Sequence, residues 1–238
     1  MRTRTIVFDL DGTLVDTAPD LLGSLDALFA REGIEPIDPM VGRTLIGGGV
    51  KRLIERGLAQ RGRAFTPAHV DELFGAYLTH YAEHIADRSR AFPGVEAALD
   101  RLAARGDRLA VCTNKLAWLS VRLLERLGLA ARFAAICGQD TFGVQKPDPE
   151  VLRATVRAAG GDIADAAMVG DSATDISTAR AAGVPVVGVD FGYTEVPMVE
   201  LEPDRVISHF EALPAALEAL LPDPAQDHPE RAKPRTTR

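Results

Sequence analysis

The residues with the clearest chemical potential are two aspartates that follow the first apolar run. Asp9 and Asp11 lie in the stretch FDLDGTLVDT, directly after the apolar residues 6–8 and before Gly12 and Thr13. Alternate residues of a strand point to the same side, so carboxylates two positions apart crowd like charges together. Such crowding costs stability unless a cation or a proton lies between the two groups. The pair therefore predicts a functional site in which the two carboxylates bind a cation or share a proton.

Polar and charged residues also follow three later apolar runs. In chain order they are Thr113, Asn114, Lys146, Asp171 and Asp175. Singly, each has an ordinary explanation, such as a helix N-cap for an aspartate or a solvated surface charge for the lysine. Their occurrence together, each at the same end of its run, instead predicts one shared crevice.

The elements that must position these residues form an alternating pattern. Apolar runs predict six strands, over residues 5–10, 108–113, 134–138, 166–170, 185–190 and 205–207. Most runs are continuous, which is typical of a parallel sheet buried on both faces. Helical spacing predicts helices between them, over residues 93–106, 116–129, 148–160 and 173–183. We expect an α/β fold, a doubly wound, Rossmann-like parallel sheet, which binds ligands beyond the carboxyl ends of its strands.

One long segment interrupts the alternation. Residues 17–89 contain no convincing strand pattern, and helical patterns cover residues 18–32, 49–60 and 67–87. A structureless loop of this length is improbable in a compact domain. We expect an inserted all-helical domain at 17–89 and a core domain from 1–16 and 90–221. The polar, proline-rich residues 222–238 predict a disordered tail.

The chemistry of the cluster points to phosphoryl transfer. Several carboxylates around one lysine, Lys146, are too negative without a cation, and oxygen ligands suit Mg²⁺, which shares phosphate oxygens readily. One of the two first aspartates can attack phosphorus and form an aspartyl-phosphate. The other can protonate the leaving alkoxide and then deprotonate the hydrolytic water. Thr113 and nearby backbone N–H groups would compensate the charge.

Four motifs in this order, DLDGTLVDT, TNK, KPDP and GDSATD, resemble the signature motifs of the haloacid dehalogenase-like hydrolase superfamily. The resemblance spans residues 5 to about 210 and implies a doubly wound core with a helical cap after the first strand. It also implies that Asp9 is the nucleophile and Asp11 the general acid/base. Asp11 argues against dehalogenation, because a halide leaving group needs no proton.

The same resemblance assigns the binding groups. Phosphate would be bound by Thr113, Asn114 and Lys146. Mg²⁺ would be held by Asp9, the backbone carbonyl of Asp11, and Asp171. Asp175 would orient metal-bound water or Lys146.

The inserted segment bears on the substrate. The stretch VGRTLIGGGVKRLIERGL, residues 41–58, resembles the cap of bacterial phosphoglycolate phosphatases, as do FPGVEAALDRLAARG and GVDFGYTE. Gly47 and Gly48 could present backbone N–H groups to a small carboxylate at a helix start, and Arg43 or Lys51 could add charge. This favours a Mg²⁺-dependent phosphatase that converts 2-phosphoglycolate to glycolate and phosphate.

Several alternatives remain open from the sequence. The same hydrolase could act on pyrophosphate, a sugar phosphate or a nucleotide monophosphate. A β-phosphoglucomutase-like phosphotransferase would move phosphate rather than release it, and a phosphonate hydrolase would depend on Lys51. A binding module that has kept the fold has no use for the acid/base pair.

Charge and composition narrow the partners. A formal net charge of −7 argues against nucleic acid or an anionic membrane as partner. The chain has no signal-peptide pattern and no apolar run long enough to span a bilayer. Cys112 and Cys137 lie in apolar stretches without metal-ligand spacing, which predicts core thiols in a reducing cytoplasm. We expect a cytoplasmic monomer or homodimer whose partner is a small phosphorylated metabolite.

Overall fold

Six strands form one parallel sheet, with a separate two-stranded pair. Within residues 3–194 and 196–221, which the computed structural model describes, the strands are β1 (Thr5–Phe8), β2 (Val15–Asp16), β3 (Arg90–Ala91), β4 (Arg108–Cys112), β5 (Ala135–Cys137), β6 (Ala166–Gly170), β7 (Val186–Val189) and β8 (Arg205–Ile207). The sheet order is β5-β4-β1-β6-β7-β8, and its neighbours are parallel. The chain thus moves outward from β1 on one side and from β6 on the other, which confirms the doubly wound sheet.

The helices follow the strands as the alternation predicts. In the same described residues they are α1 (Ala18–Arg31), α2 (Pro39–Leu45), α3 (Val50–Gln60), α4 (Pro67–Glu83), α5 (Val95–Ala104), α6 (Ala117–Arg126), α7 (Pro149–Ala158), α8 (Ala173–Ala182) and α9 (Leu213–Leu220). On central strand β1, Ile6 and Phe8 face one apolar cluster and Val7 faces a second. Both faces of the sheet are therefore covered, which explains the continuous apolar runs.

Helices α1 to α4 occupy the segment between β2 and β3. They bury Leu25, Phe29, Ile54 and Tyr77 against one another. The same apolar cluster continues into the sheet, so the division into a 17–89 domain and a core of 1–16 and 90–221 stays a prediction. The predicted tail, residues 222–238, lies outside the described residues.

The pair of β2 and β3 is a difference from the sequence expectation, which places no strand between β1 and Pro93. Val15 lies opposite Ala91 and Asp16 opposite Arg90 in antiparallel register. Two-residue strands carry no periodic signal, because periodicity needs several residues to show. The pair joins the two chain crossings between the helical segment and the sheet.

The prediction that both cysteines are core thiols is confirmed. Cys112 and Cys137 are buried free thiols in the core. Burial raises the pKa of Cys112 to about 11, so its thiol is protonated and unreactive near neutral pH. In the described part of the chain, no helix combines the length and apolarity needed to cross a membrane.

Candidate active site

Asp9 stands at the carboxyl end of the central strand. Its backbone N–H donates to the carbonyl of Val169 at 2.9 Å, which extends the β1–β6 pairing by one residue. The backbone N–H of Leu10 donates to Oδ1 of Asp9 at 2.7 Å, and Nζ of Lys146 lies 2.9 Å from the same oxygen. The Asp9 side chain is still 13% exposed. It is thus oriented by two donors and remains accessible from one side.

Lys146 joins two carboxylates. Its Nζ lies 2.9 Å from Asp9 and donates to Oδ1 of Asp175 at 2.6 Å, and its side chain is only 2% exposed. Burial alone would lower the pKa of Lys146, but the two carboxylates raise it above its usual value. The lysine is therefore charged.

Asn114 holds the backbone of Lys146. Nδ2 of Asn114 donates to the carbonyl of Lys146 at 3.0 Å, and the backbone N–H of Lys146 donates to Oδ1 of Asn114 at 3.0 Å. Both ends of the amide are thus bonded to the loop that carries the lysine. The sequence does not indicate this contact with the backbone of Lys146, and the expected phosphate contact of Asn114 stays a prediction.

Asp175 divides its two oxygens between two tasks. Oδ2 accepts hydrogen bonds from the backbone N–H and the hydroxyl of Ser172 in the capping box of α8. Oδ1 accepts from Lys146. Of the two expectations for Asp175, the contact observed is therefore the one with Lys146.

Asp171 follows β6 and lies against the chain after β1. It accepts hydrogen bonds from Oγ1 of Thr13 at 3.0 Å and from the backbone N–H of Tyr193 at 2.8 Å. Gly12 has φ +82, and a Cβ there would lie 2.3 Å from Oδ2 of Asp171. The glycine in the DGT sequence thus permits the close approach of two strand ends.

Three carboxylates at this edge could hold a metal ion. Within the described residues, ligand atoms of Asp9, Asp171 and Asp175 all lie within 4.8 Å of one another. Burial raises the pKa of Asp9, and Asp175 raises it further. Burial, Asp9 and Asp175 likewise raise the pKa of Asp171. A negative charge is therefore costly on both carboxylates, chiefly because they are buried, and a bound hard cation would offset this cost.

Asp11 binds a second lysine that sequence reasoning overlooks. Nζ of Lys115 donates to both carboxylate oxygens of Asp11, at 3.0 Å each. The expected crowding of Asp9 and Asp11 is relieved because each carboxylate has its own lysine. Strand β1 ends at Phe8, and the chain then turns, so strand alternation does not extend through Asp11. The TNK motif contained the available signal.

These groups line one cavity of about 540 Å³. Its sheet side includes Thr113, which is buried and whose Oγ1 accepts from the backbone N–H of Lys115 at 3.2 Å. The site residues on that side are Asp9, Asp11, Thr113, Asn114, Lys115, Lys146 and Asp171. The helical segment supplies the opposite side, with residues 46–50 and Arg52 among its lining. The cavity therefore lies between the sheet edge and the helical segment.

The predicted glycines of the helical segment reach this cavity. Gly47, Gly48 and Gly49 all have positive φ, at 120°, 78° and 90°, and precede α3. Backbone geometry of this kind is open to glycine and strained for other residues. The three glycines thus form a turn at the cavity wall.

The predicted cations of the segment lie elsewhere. Arg43 donates to Oδ2 of Asp16 at 2.7 Å and is absent from the described cavity lining. Lys51 pairs with Asp71 on the exposed surface. Arg52, which the sequence reasoning passes over, is the neighbouring cation that lines the cavity. A single position along the helix decides which side chain faces inward, since neighbouring residues point about 100° apart, and a stretch with several cations does not reveal it.

Comparison with known proteins agrees with this fold. A family model described as haloacid dehalogenase-like hydrolase matches residues 6–189. A phosphoglycolate phosphatase of Mesorhizobium japonicum is 51% identical over 212 residues, which cover 89% of this chain and 93% of the relative. One of Agrobacterium fabrum is 49% identical over 211 residues, covering 89% and 91%. A crystal structure described as a predicted phosphoglycolate phosphatase of Haemophilus somnus matches with a TM-score of 0.83 at 28% identity, covering 90% and 98%.

A parallel doubly wound sheet with carboxylates at its carboxyl edge places the chain among the α/β proteins that bind ligands at this edge. The chain belongs to the haloacid dehalogenase-like hydrolase family, as its motifs predict. Within that family it is a phosphatase, which acts on a small phosphorylated compound.

Proposed function

We propose that the chain hydrolyses 2-phosphoglycolate to glycolate and phosphate, with Mg²⁺ bound and through an aspartyl-phosphate on Asp9. The observation that carries the proposal is the pairing of Asp9 with Lys146 at 2.9 Å on the wall of the shared cavity. A carboxylate beside a buried ammonium group can accept a phosphate that it would otherwise repel. The names of the relatives support the choice of substrate.

The contacts of the four aspartates favour Asp9 as nucleophile. Asp175 is fully buried and its oxygens are bonded to Ser172 and Lys146. Asp171 is 3% exposed and accepts a hydrogen bond on each oxygen. Asp9 retains an accessible side. Of these three acids it is the one that combines access with a fixed orientation. Asp11 is also accessible, with its side chain 19% exposed, and the resemblance of DLDGTLVDT to the family motif selects Asp9 over it.

The proposed reaction has two steps. A carboxylate oxygen of Asp9 bonds to phosphorus while the bond from phosphorus to the glycolate oxygen breaks, and Asp11 gives that oxygen a proton. Asp11 then takes a proton from water, whose oxygen bonds to phosphorus and releases Asp9. Lys146 and Thr113 compensate the charge on the phosphate oxygens in both steps.

The ligands proposed for Mg²⁺ are Asp9, Asp171 and the backbone carbonyl of Asp11. Once bound, the ion supplies charge neutralisation to the phosphate oxygens. The raised pKa values of Asp9 and Asp171 support this assignment, because both carboxylates gain from a nearby cation. Asp175 is fully buried and its Oδ1 is bonded to the ammonium group of Lys146, so its proposed task is to keep Lys146 in place.

The substrate has a negative charge at each end, and the cavity offers a place for both. The phosphate end would lie at Asp9 and Lys146. The carboxylate end would face the N–H groups of Gly47 and Gly48 with the guanidinium of Arg52. We accordingly treat residues 17–89 as a cap domain that supplies substrate recognition to the core.

The test is phosphate release from a panel of esters with Mg²⁺. It compares 2-phosphoglycolate with ethyl phosphate, pyrophosphate, glucose 1-phosphate and a nucleotide monophosphate, with Asp9→Asn as the blank. We expect kcat/KM to be highest for 2-phosphoglycolate and activity to be lost with Asp9→Asn. Equal kcat/KM across the panel would contradict the substrate, and movement of phosphate without release would contradict hydrolysis.

Arg52→Gln tests recognition of the carboxylate end. We expect kcat/KM for 2-phosphoglycolate to fall about tenfold or more, the loss expected for an ionic hydrogen bond, with little change for ethyl phosphate. The matched control is Arg63→Gln, since Arg63 is exposed and does not line the described cavity. Equal losses for both esters would contradict the role of Arg52.

A further inference from the structure

We propose that Lys115 is a positioning residue, which holds the Asp11 carboxylate in place for proton transfer, and that the ring of Tyr81 in the helical segment holds Lys115. The inference rests on the proposed role of Asp11 as acid and base. It gives the two aspartates after β1 separate lysines with separate tasks.

The contact between Lys115 and Asp11 is close and protected. Nζ donates to both oxygens at 3.0 Å, and the lysine side chain is only 3% exposed. A buried ammonium group without a carboxylate would be costly, so the pair is mutually required. A carboxylate bonded through both oxygens to one donor has little rotational freedom. Asp11 is therefore held in one orientation.

The backbone of Lys115 provides a fixed base for this contact. Its N–H donates to Oγ1 of Thr113 at 3.2 Å, and its carbonyl accepts from the N–H of Gln139 at 3.0 Å. A Cβ at Gly138 would lie 2.5 Å from the same carbonyl. Two neighbouring strand ends thus enclose Lys115, and its side chain extends from them to Asp11.

Tyr81 of α4 covers the lysine from the side of the helical segment. Nζ of Lys115 lies 4.6 Å from the centroid of its ring, within the range of a cation–π contact. The ring is fully buried and stacks on Tyr77 with centroids 5.9 Å apart. The Tyr81 hydroxyl is buried and has no hydrogen-bond partner among the described residues. Tyr81 therefore contacts Lys115 through its ring and not through its hydroxyl.

The arrangement separates attack on phosphorus from proton transfer. Asp9 attacks with Lys146 beside it, and this step needs no proton when the leaving group is a stable phenolate. Hydrolysis of the aspartyl-phosphate still requires Asp11 to take a proton from water. Loss of Lys115 should therefore leave the first step intact for such an ester and slow the second.

The experiment follows nitrophenol release from p-nitrophenyl phosphate with Mg²⁺ in a stopped-flow instrument, with full-length wild type, Lys115→Met and Asp11→Asn. For Lys115→Met we expect a burst of about one equivalent per site at nearly the wild-type rate. Steady turnover should then be at least about tenfold slower than wild type, the order of a lost proton-transfer contribution. Asp11→Asn should show the same burst with still slower turnover.

The matched control is Lys51→Met, which removes a lysine that also has a carboxylate partner and an aromatic ring 5.2 Å away, but on the exposed surface. We expect wild-type burst and turnover from it. A second series compares Tyr81→Leu with Tyr81→Phe, which keeps the ring. Tyr81→Leu should slow steady turnover more than Tyr81→Phe while leaving the burst rate unchanged.

If Lys115→Met loses burst and turnover in parallel, Lys115 is merely structural and the proposal is overturned. Unchanged steady turnover in Lys115→Met would also overturn it. Equal turnover of the two Tyr81 variants would remove Tyr81 from it. The acid/base assignment of the proposed function fails if Asp11→Asn lacks the expected pattern, which is a burst and then slow turnover. If Asp11→Asn behaves as expected and Lys115→Met does not, only the role of Lys115 fails.

Discussion

Each aspartate of the site is distinguished by its partners. Asp9 is accessible beside Lys146, Asp11 is held by Lys115, and Asp171 is bonded to Thr13 and Tyr193. These three carboxylates therefore differ in their surroundings although they are chemically alike. Burial and neighbouring carboxylates raise the pKa of Asp171, so its charge opposes folding in the absence of metal.

Asp171→Asn should stabilise the metal-free protein at high pH. A carboxyl with a raised pKa in the folded state contributes stability when protonated, and this stability is lost as pH rises above its unfolded pKa, near 4. In EDTA we therefore expect the variant to have a higher Tm than wild type at about pH 8, with a smaller difference toward pH 5. Thermal unfolding across this range is the measurement.

The control for this variant is Asp71→Asn, which removes an exposed carboxylate whose ion pair contributes little. Mg²⁺ should raise the Tm of wild type and have less effect on Asp171→Asn, since binding to the folded state stabilises it. A variant less stable than wild type at high pH in EDTA would contradict the charge strain at the site.

Residue types and order in the sequence predict the cluster of Asp9, Lys146 and Asp171, because strand ends in a doubly wound sheet meet at one edge. The partners of those residues are less accessible to prediction. Lys115 and Asp11 are 104 positions apart, and the inward direction of Arg52 depends on helix rotation. Asn114 shows a further difficulty, since its side-chain amide bonds the backbone of Lys146, a contact that residue type and spacing do not indicate.

At the scale of elements, the close approach of the segments after β1 and β6 depends on Gly12. Gly12→Ala should displace Asp171, since the new Cβ would lie 2.3 Å from its Oδ2, and should reduce Mg²⁺-dependent activity strongly. Positive φ adds roughly 1–2 kcal/mol of backbone strain. Activity against Mg²⁺ concentration and denaturant unfolding together check the prediction.

Gly33→Ala separates the effect of backbone strain from the effect of displacing Asp171. Gly33 also has positive φ, at +62°, but a Cβ there would have no neighbour within 4 Å. It should lose comparable stability and keep its activity. Wild-type Mg²⁺ dependence in Gly12→Ala would show that the approach of the two segments is unimportant.

The strands of the sheet are predictable because their apolar runs are continuous, and each predicted run overlaps an observed strand. Helix α2 is not predicted, because Gly42 is its one buried residue and it has no apolar stripe. Strands β2 and β3 are too short to show a period. Elements that are very short or little buried are therefore not predicted from the sequence, even where they lie next to the site.

At the scale of the whole molecule, Tyr193 connects the sheet edge with the start of the helical segment. Its backbone N–H donates to Asp171, its hydroxyl donates to Asp16 at 2.7 Å, and the hydroxyl accepts from the N–H of Ala18 at 2.9 Å. Asp16 also accepts from Arg43 of α2. The carboxylate proposed to bind metal is thus linked to the helices that form the other cavity wall.

The sequence predicts that residues 17–89 form a helical insertion, since a long segment without strands must be helical to be compact. It does not reveal that Tyr81 of α4 contacts a lysine of the core. Such contacts depend on the packing of side chains that are distant in the chain. Periodicity describes single elements and carries no information about this packing.

Chemical identification of the phosphorylated residue is the most direct test of Asp9 as the nucleophile. Asp11→Asn, which should accumulate the intermediate from an ester whose leaving group needs no proton, is mixed with p-nitrophenyl phosphate and Mg²⁺, quenched and treated with borohydride, which reduces an aspartyl-phosphate to homoserine. Peptide mass spectrometry then locates the homoserine, with Asp9→Asn as the control. The account predicts homoserine at position 9 and none in the control. Homoserine at another aspartate, or none during measurable turnover, would contradict it.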